Sequence, residues 1–424
     1  MASTSLVIGN MIGAGVFLMP AALAAYGGIS VLGWIFSAIG ALLLATVFSR
    51  LSQLVPNTNG GPYAYTRAGL GDFAGFLVAW GYWISTWTSN AAIAIAFVSA
   101  LSIFFPVLDQ NPVVAMLTGL GAIWLLTYIN SLGLKASGKV QILTTLLKIV
   151  PLVLVILGGF FFFDIQNFIP FNTSGTTTLS AIAITATLTL YAFLGVESAT
   201  VPAANVTQPE KTIPRATFLG TVITTLIYIL GTVAVMGMIP GKVLAESPAP
   251  FADAMEIIGG AWGRDFVAAG AAIAAFGALN GWILIQGQIA MATSKDNLFP
   301  KIFRKENKNG VPILGLIIGS VLTSLVMLMN YTGGLVEQFK FIILLATLCT
   351  LIPYLFTTAA YGLIMMDKKY GGRRLISGIG VGVLAFSYSL WAIYGAGESA
   401  VFWGLLLLLG GIPIYVWMKY TNRE

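Results

Sequence analysis

Long apolar runs separated by short polar punctuation cover almost all of this 424-residue chain. A helix crosses a bilayer with about 20 apolar residues. On that measure the pattern predicts twelve spans, at roughly 4–27, 31–54, 74–105, 112–132, 139–163, 180–203, 214–239, 264–293, 311–331, 336–364, 375–395 and 399–419. Two of them are interrupted. The first carries Gly9, Gly13 and Gly15 within seven residues. Glycine inside a helix costs about 1 kcal/mol relative to alanine. Backbone freed at mid-membrane must be satisfied by protein or by something bound. The sixth reads Tyr191-Ala192-Phe193-Leu194-Gly195-Val196-Glu197-Ser198, which sets a carboxylate two residues from a glycine deep in an apolar run. Interrupted spans five apart predict an all-α membrane protein of twelve helices, with an inverted five-plus-five repeat and broken helices 1 and 6. The repeats would cover about 4–163 and 180–364, with two added helices at about 375–419, all in one transport domain spanning 1–424.

Basic residues give the expected orientation. With the N-terminus in the cytoplasm, 17 of the 21 Lys and Arg fall in inside segments. Lys242, Arg264 and Lys340 fall outside, and Lys148 lies within a span. The positive-inside rule then predicts both termini in the cytoplasm and a multi-pass protein of the cell inner (plasma) membrane. The first span begins almost at residue 1. That leaves room for a short cytoplasmic tail ahead of it, and no cleavable signal peptide is expected.

Composition narrows the function. Only 8% of residues are charged, against about 25% in a soluble domain. The net charge of +6 follows from the loops and does not indicate nucleic acid. The chain has no histidine and one cysteine, Cys349. This excludes His-based triads, His-ligated haem and the usual zinc sites, as well as a disulfide within the chain. No catalytic residue, metal or cofactor is expected, so an enzyme is disfavoured. A channel would need a ring of repeated pore residues, and a sensor a soluble domain; neither is visible.

The interruptions carry the candidate chemistry. Where a helix stops and restarts, the new half presents free N–H groups and a positive dipole end. Amides of Gly13, Ala14 and Gly15 could hold a carboxylate. Carbonyls around Met11 and Ile12, and from Tyr191 to Leu194, suit an ammonium. The plainer reading is close helix contact through small residues. Glu197 is expensive in hydrocarbon, which makes it a candidate proton carrier, gate or structural partner. Lys148 has two readings. It snorkels to the cytoplasm, or its ammonium sits inside the bundle on carbonyls of the broken first helix, doing the work of a bound Na⁺ or exchanging a proton. Thr86 and Asn90, four apart, share a helical face, and Trp83 and Trp87 flank them. Trp282 sits well inside the eighth span, beside Asn280 and before Gln286 and Gln288, where it could hold a cationic side chain by cation–π contact. Gly60-Gly61-Pro62-Tyr63-Ala64-Tyr65 reads as a turn opening a helix. Asn205-Val206-Thr207 fits a glycosylation sequon but falls on the cytoplasmic side.

Several of these segments together resemble the amino acid–polyamine–organocation superfamily, and within it the basic amino acid/polyamine antiporters. The resemblance covers Gly9 to Phe17, Gly60 to Tyr65, Phe193 to Ala199, Gln208 to Ala216, Gly281-Trp282, Leu298 to Phe303 and Gly395 to Ala400. It implies Na⁺-independent exchange, small amino acids or amines as partners in a lipid bilayer, and often a homodimer. It implies that the first-span glycine segment holds the substrate carboxylate. Carbonyls near Ile12, Tyr191 and Leu194 would hold the α-ammonium. Trp282 matches a tryptophan that stacks on a guanidinium, while Thr86, Asn90 and Thr350 match side-chain contacts. Glu197 matches a gating glutamate. Ala14 stands where arginine exchangers carry a serine, Tyr191 where they carry a capping tryptophan, and Ala346 where they carry another serine. Lys148 resembles the fifth-span lysine of other superfamily members.

The expectation is a Na⁺-independent secondary amino-acid antiporter working by alternating access, with Tyr191 as a lid. Its substrate would be a cationic amino acid such as arginine, exchanged for a related amine or amino acid. The alternative is a proton-coupled or exchanging carrier of neutral amino acids with Lys148 as the coupling group.

Overall fold

A computed structural model describes residues 2–56, 58–247, 249–329, 335–367, 372–395 and 398–421. Lys368, Lys369, Arg423 and the Ala396-Gly397 part of the last matching segment lie outside the described residues. No strand occurs among the described residues. Among the described residues eleven helices are long and apolar enough to cross a membrane, and Ile313–Met329 is a shorter apolar helix in the ninth position.

Local sequence sets where the helices begin. Proline occupies the first turn at Pro62, Pro112, Pro209 and Pro250, where its missing N–H costs nothing. Asn111 caps the fourth span, its side-chain oxygen accepting from the amides of Val113 at 3.1 Å and Val114 at 3.3 Å. Hydropathy alone misplaces two beginnings. The third and eighth helices run Pro62–Ser102 and Pro250–Lys295, each starting over ten residues before its apolar stretch. Both bend about ten residues in, at Gly71 (φ 83°) and Gly260 (φ 65°). The first leg of each is thus a separate helical segment ahead of the span.

The first span divides into helices Ala2–Met11 and Ala14–Ala24. In the sixth, helix Thr178–Leu190 gives way to a 3₁₀ turn at Tyr191–Phe193, extended backbone at Leu194, and Gly195 at φ 104°. Only glycine adopts that conformation without strain. Beyond Gly195 the chain runs through turns and short 3₁₀ segments, Ser198–Thr200 and Ala203–Asn205. A second α-helical half, expected by analogy with the first span, is therefore not formed. The last span is divided as well, into Glu398–Leu409 and Ile412–Thr421.

Buried apolar side chains form two large clusters. One joins the first, second, fifth, sixth, seventh and eleventh spans, through residues such as Val7, Phe48, Val155, Phe193, Tyr228 and Ala385. The other joins the third, fourth, eighth and ninth, through Val78, Ile123, Ile285 and Leu316. The eighth and tenth contribute to both, with Ala274 and Leu351 in the first and Ile285 and Leu348 in the second. Between membrane helices, close packing rather than water exclusion supplies the attraction. The eighth span accordingly meets the fifth through small residues: a methyl group at Gly270 or Gly277 would collide with Pro151 or Thr144. Both interruptions lie where the two clusters meet.

Candidate functional site

The free carbonyls of the first interruption are taken up by three side chains from other spans. Lys148 is fully buried, and its Nζ donates to the carbonyls of Gly9 at 2.7 Å and Ile12 at 2.6 Å. Its ammonium is inside the bundle, not at the interface. Tyr228 Oη donates to Met11 O at 2.5 Å and to Ala192 O at 2.9 Å, tying the two interruptions to one hydroxyl. Trp282 Nε1 donates to Asn10 O at 3.3 Å. Asn10 Nδ2 reaches Ser198 Oγ at 2.9 Å, a second tie between the broken segments. Hydrogen bonds from charged donors contribute about 1.5–3 kcal/mol each, so Lys148 is the strongest single clamp on the break.

Glu197 is also fully buried. Its two carboxylate oxygens accept from the hydroxyls of Tyr82 and Tyr354. Tyr354 Oη also accepts from the amide of Gly195 at 3.4 Å. The carboxylate therefore joins the third, sixth and tenth spans just beyond the second break. Because a Cβ at Gly9 would overlap the Gln141 side chain, that glycine allows the fifth span to approach; Gln141 Nε2 and Thr145 Oγ1 hold Ser5 O at 3.4 and 3.2 Å.

Between these clamps lies a small cavity of about 20 Å³, lined by Asn10, Met11, Gly13, Gly15, Ser89, Ile93, Tyr191, Ala192, Leu194 and Trp282. A single water needs roughly 10–15 Å³ on this measure, so the cavity has room for about one water. The half-helix Ala14–Ala24 begins on it with no side-chain cap, which leaves its first amides for a bound group. Larger cavities flank it, about 220 Å³ beside Phe17 and Leu18 and about 450 Å³ beside Ser3 and Leu6.

Of the residues singled out from sequence, Gly13, Gly15, Tyr191, Leu194 and Trp282 line the central cavity. Ile12 does not; its carbonyl is bonded to Lys148. Ala14 opens the second half-helix. Thr86, Asn90 and Thr350 are buried but do not line the cavity. Thr86 donates to Trp83 O at 2.7 Å and Thr350 to Ala346 O at 3.0 Å, each within its own helix. Asn90 Nδ2 donates to Gln286 Oε1 at 2.8 Å, and Gln286 continues to Ser320 at 3.1 Å. The third span presents Ser89 and Ile93 instead. Sequence reading passed over Tyr82, Tyr228 and Tyr354. A tyrosine buried mid-span needs a hydroxyl partner, which was the available signal, but the partners lie on distant spans.

At one membrane face the ends of three spans are tied by ions. Arg67 pairs with Asp72 at 2.9 Å and Asp296 at 2.8 Å, Lys419 with Asp72 at 2.8 Å, and Tyr63 Oη donates to Asp296 at 2.7 Å. These groups are about one-third to one-half exposed, so each pair contributes at most about 1 kcal/mol.

Comparison with known proteins agrees with this architecture. The amino acid permease family model matches residues 1–411. A cadaverine/lysine antiporter of Escherichia coli (strain K12) is 38% identical over 362 residues, covering 84% of this chain and 81% of that protein. An arginine/ornithine antiporter of Pseudomonas aeruginosa is 31% identical, covering 99% and 90%. An arginine/agmatine antiporter of Chlamydia pneumoniae is 31% identical, covering 98% and 88%.

Proposed function

The chain belongs to the amino acid permease family, and on that premise we propose that it is a Na⁺-independent antiporter exchanging a cationic amino acid for a related amine or amino acid. Family membership makes it a multi-pass membrane transporter, not an enzyme. The observation that carries the finer reading is the small cavity between Gly13, Gly15, Leu194 and Trp282. Uncapped amides on one wall suit the α-carboxylate, the Leu194 backbone suits the α-ammonium, and the Trp282 ring suits a cationic side chain. Lys148 supplies a fixed positive charge at the broken helix, which removes the need for a bound Na⁺.

The two clusters support a reading of alternating access. Each face of the cavity belongs to a different one, so sliding one cluster against the other opens it towards either flanking cavity. Tyr191 closes one side, and Glu197 with Tyr82 and Tyr354 latches the other. The matching bends at Gly71 and Gly260, five spans apart like the interruptions, support the inverted repeat. The split of basic residues supports both termini in the cytoplasm.

One observation favours a second reading. No lining residue of the central cavity is acidic, and Glu197 is held by two tyrosines. A carrier of neutral amino acids, coupled to protons through Lys148, would fit that wall as well.

Reconstitution separates the readings. Liposomes preloaded with unlabelled lysine or arginine are given labelled lysine, arginine, agmatine or leucine, with and without Na⁺ and a pH gradient. We expect exchange of the cationic compounds that ignores Na⁺. A strict Na⁺ requirement, or exchange of leucine alone, would overturn the reading.

A further inference from the structure

The cavity of about 220 Å³ beyond the second half of the first span is not part of the central site. Its walls are apolar, contributed by Phe17, Leu18, Phe251 and Val267, with small residues of the third span between. Phe17 and Phe251 meet edge to face in its lining, ring centroids 5.5 Å apart. One ionisable side chain lines it, Asp109. That carboxylate is exposed on the short helix Val107–Gln110, and no hydrogen bond or ion pair to it is found among the described residues. Along the third span, Ala96 to Ile103 line this cavity, while Ser89 and Ile93 line the central one. The two cavities therefore succeed each other along one helix face. At 1.5 Å per residue the wall from Ala96 to Ile103 is about 10 Å long.

With both termini in the cytoplasm, this is the outer side. Eight of the fifteen acidic residues, but only three of the 21 basic ones, fall in its segments. A lone carboxylate at the mouth of an apolar slot matches an ammonium on an aliphatic stem. We propose that this cavity is an outer waiting site for alkylammonium groups, the lysine side chain or a diamine. The cationic head rests on Asp109, and the stem lies along Phe17 and Phe251. The class of ligand rests on the cation-exchange reading, and it gives that reading a carboxylate, which no residue lining the central cavity supplies. A neutral amino acid gains nothing at Asp109, so selection occurs before the occluded step and on one side only.

Two measurements test it. In oriented liposomes, Asp109→Asn should raise the outer KM for lysine about three- to tenfold, leaving kcat, the inner KM and leucine handling unchanged. Asp109→Glu should restore it. Glu246→Gln, which removes another outer carboxylate, should change KM less than twofold. The second measurement does not need transport. The sole cysteine, Cys349, is buried, so Ser99→Cys places one reactive thiol on the cavity wall. Lysine added outside should slow its labelling by a methanethiosulfonate reagent, and should not do so when Asp109→Asn is added. Absence of protection, as expected if a lipid chain fills the slot, would overturn the proposal. So would equal KM changes for Asp109→Asn and Glu246→Gln, which would mean surface potential alone. Protection without any lysine exchange would instead overturn the cation-exchange reading and keep the site.

Discussion

Replacing Lys148 with methionine removes the charge while keeping most of the side-chain volume. In the native structure the ammonium makes two short hydrogen bonds, to Gly9 O at 2.7 Å and Ile12 O at 2.6 Å. Each contributes roughly 1.5–3 kcal/mol, or about 3–6 kcal/mol in gross terms. Part of that offsets the several kcal/mol needed to bury an ammonium. Methionine avoids the burial cost but leaves two carbonyls unpartnered at about 1–3 kcal/mol each. The expected net loss is about 2–4 kcal/mol, localised at the break that shapes the central cavity. At 1.4 kcal/mol per tenfold change, about 3 kcal/mol lowers substrate affinity roughly 100-fold. Labelled lysine exchange and the thermal midpoint in detergent, measured on the same preparation, report the two parts. Lys148→Arg adds a third: a guanidinium stays protonated. It should retain measurable exchange if the charge is a fixed counter-ion, and lose it if a proton must leave. Exchange by Lys148→Met within twofold of wild type, with an unchanged midpoint, would refute the clamp.

Three further outcomes rest on the same geometry. Tyr228→Phe leaves Met11 O and Ala192 O without their shared donor; we expect a loss of about 1–3 kcal/mol, read as a lower thermal midpoint, and an unchanged midpoint would count against the tie. Tyr82→Phe and Tyr354→Phe each remove one donor from Glu197; each should slow exchange about tenfold, and the double variant should fall short of the product because both act on one carboxylate. Trp282→Ala should weaken arginine binding about tenfold or more by removing both the ring and the bond to Asn10 O, and arginine affinity equal to wild type would remove the stacking role.

The pattern of apolar runs, the two glycine-marked interruptions and the placement of Lys and Arg determined the class of this molecule without reference to any contact. They report on the bilayer, which acts on every residue alike: length, polarity and charge asymmetry are counted along the chain. They also located the first break, at Gly13, although Gly9 and Gly15 fall inside the half-helices on either side. What the sequence could not assign was where each polar side chain ends. Lys148 had two readings until the fold brought Gly9 and Ile12 to its ammonium. Asn90, four residues from Thr86 and beside the right face, is committed to Gln286, while Ser89 lines the cavity. Tyr82, Tyr228 and Tyr354 looked like ordinary mid-span aromatics until packing aligned their hydroxyls with Glu197 and with both broken backbones. Their partners lie between 36 and 217 residues away, and a register shift of one residue on any of these helices would rotate a side chain by about 100° and break the match. Hydropathy constrains which segments cross the membrane, not their rotation about their own axes. Only the packing of helix against helix fixes that rotation, and with it the site.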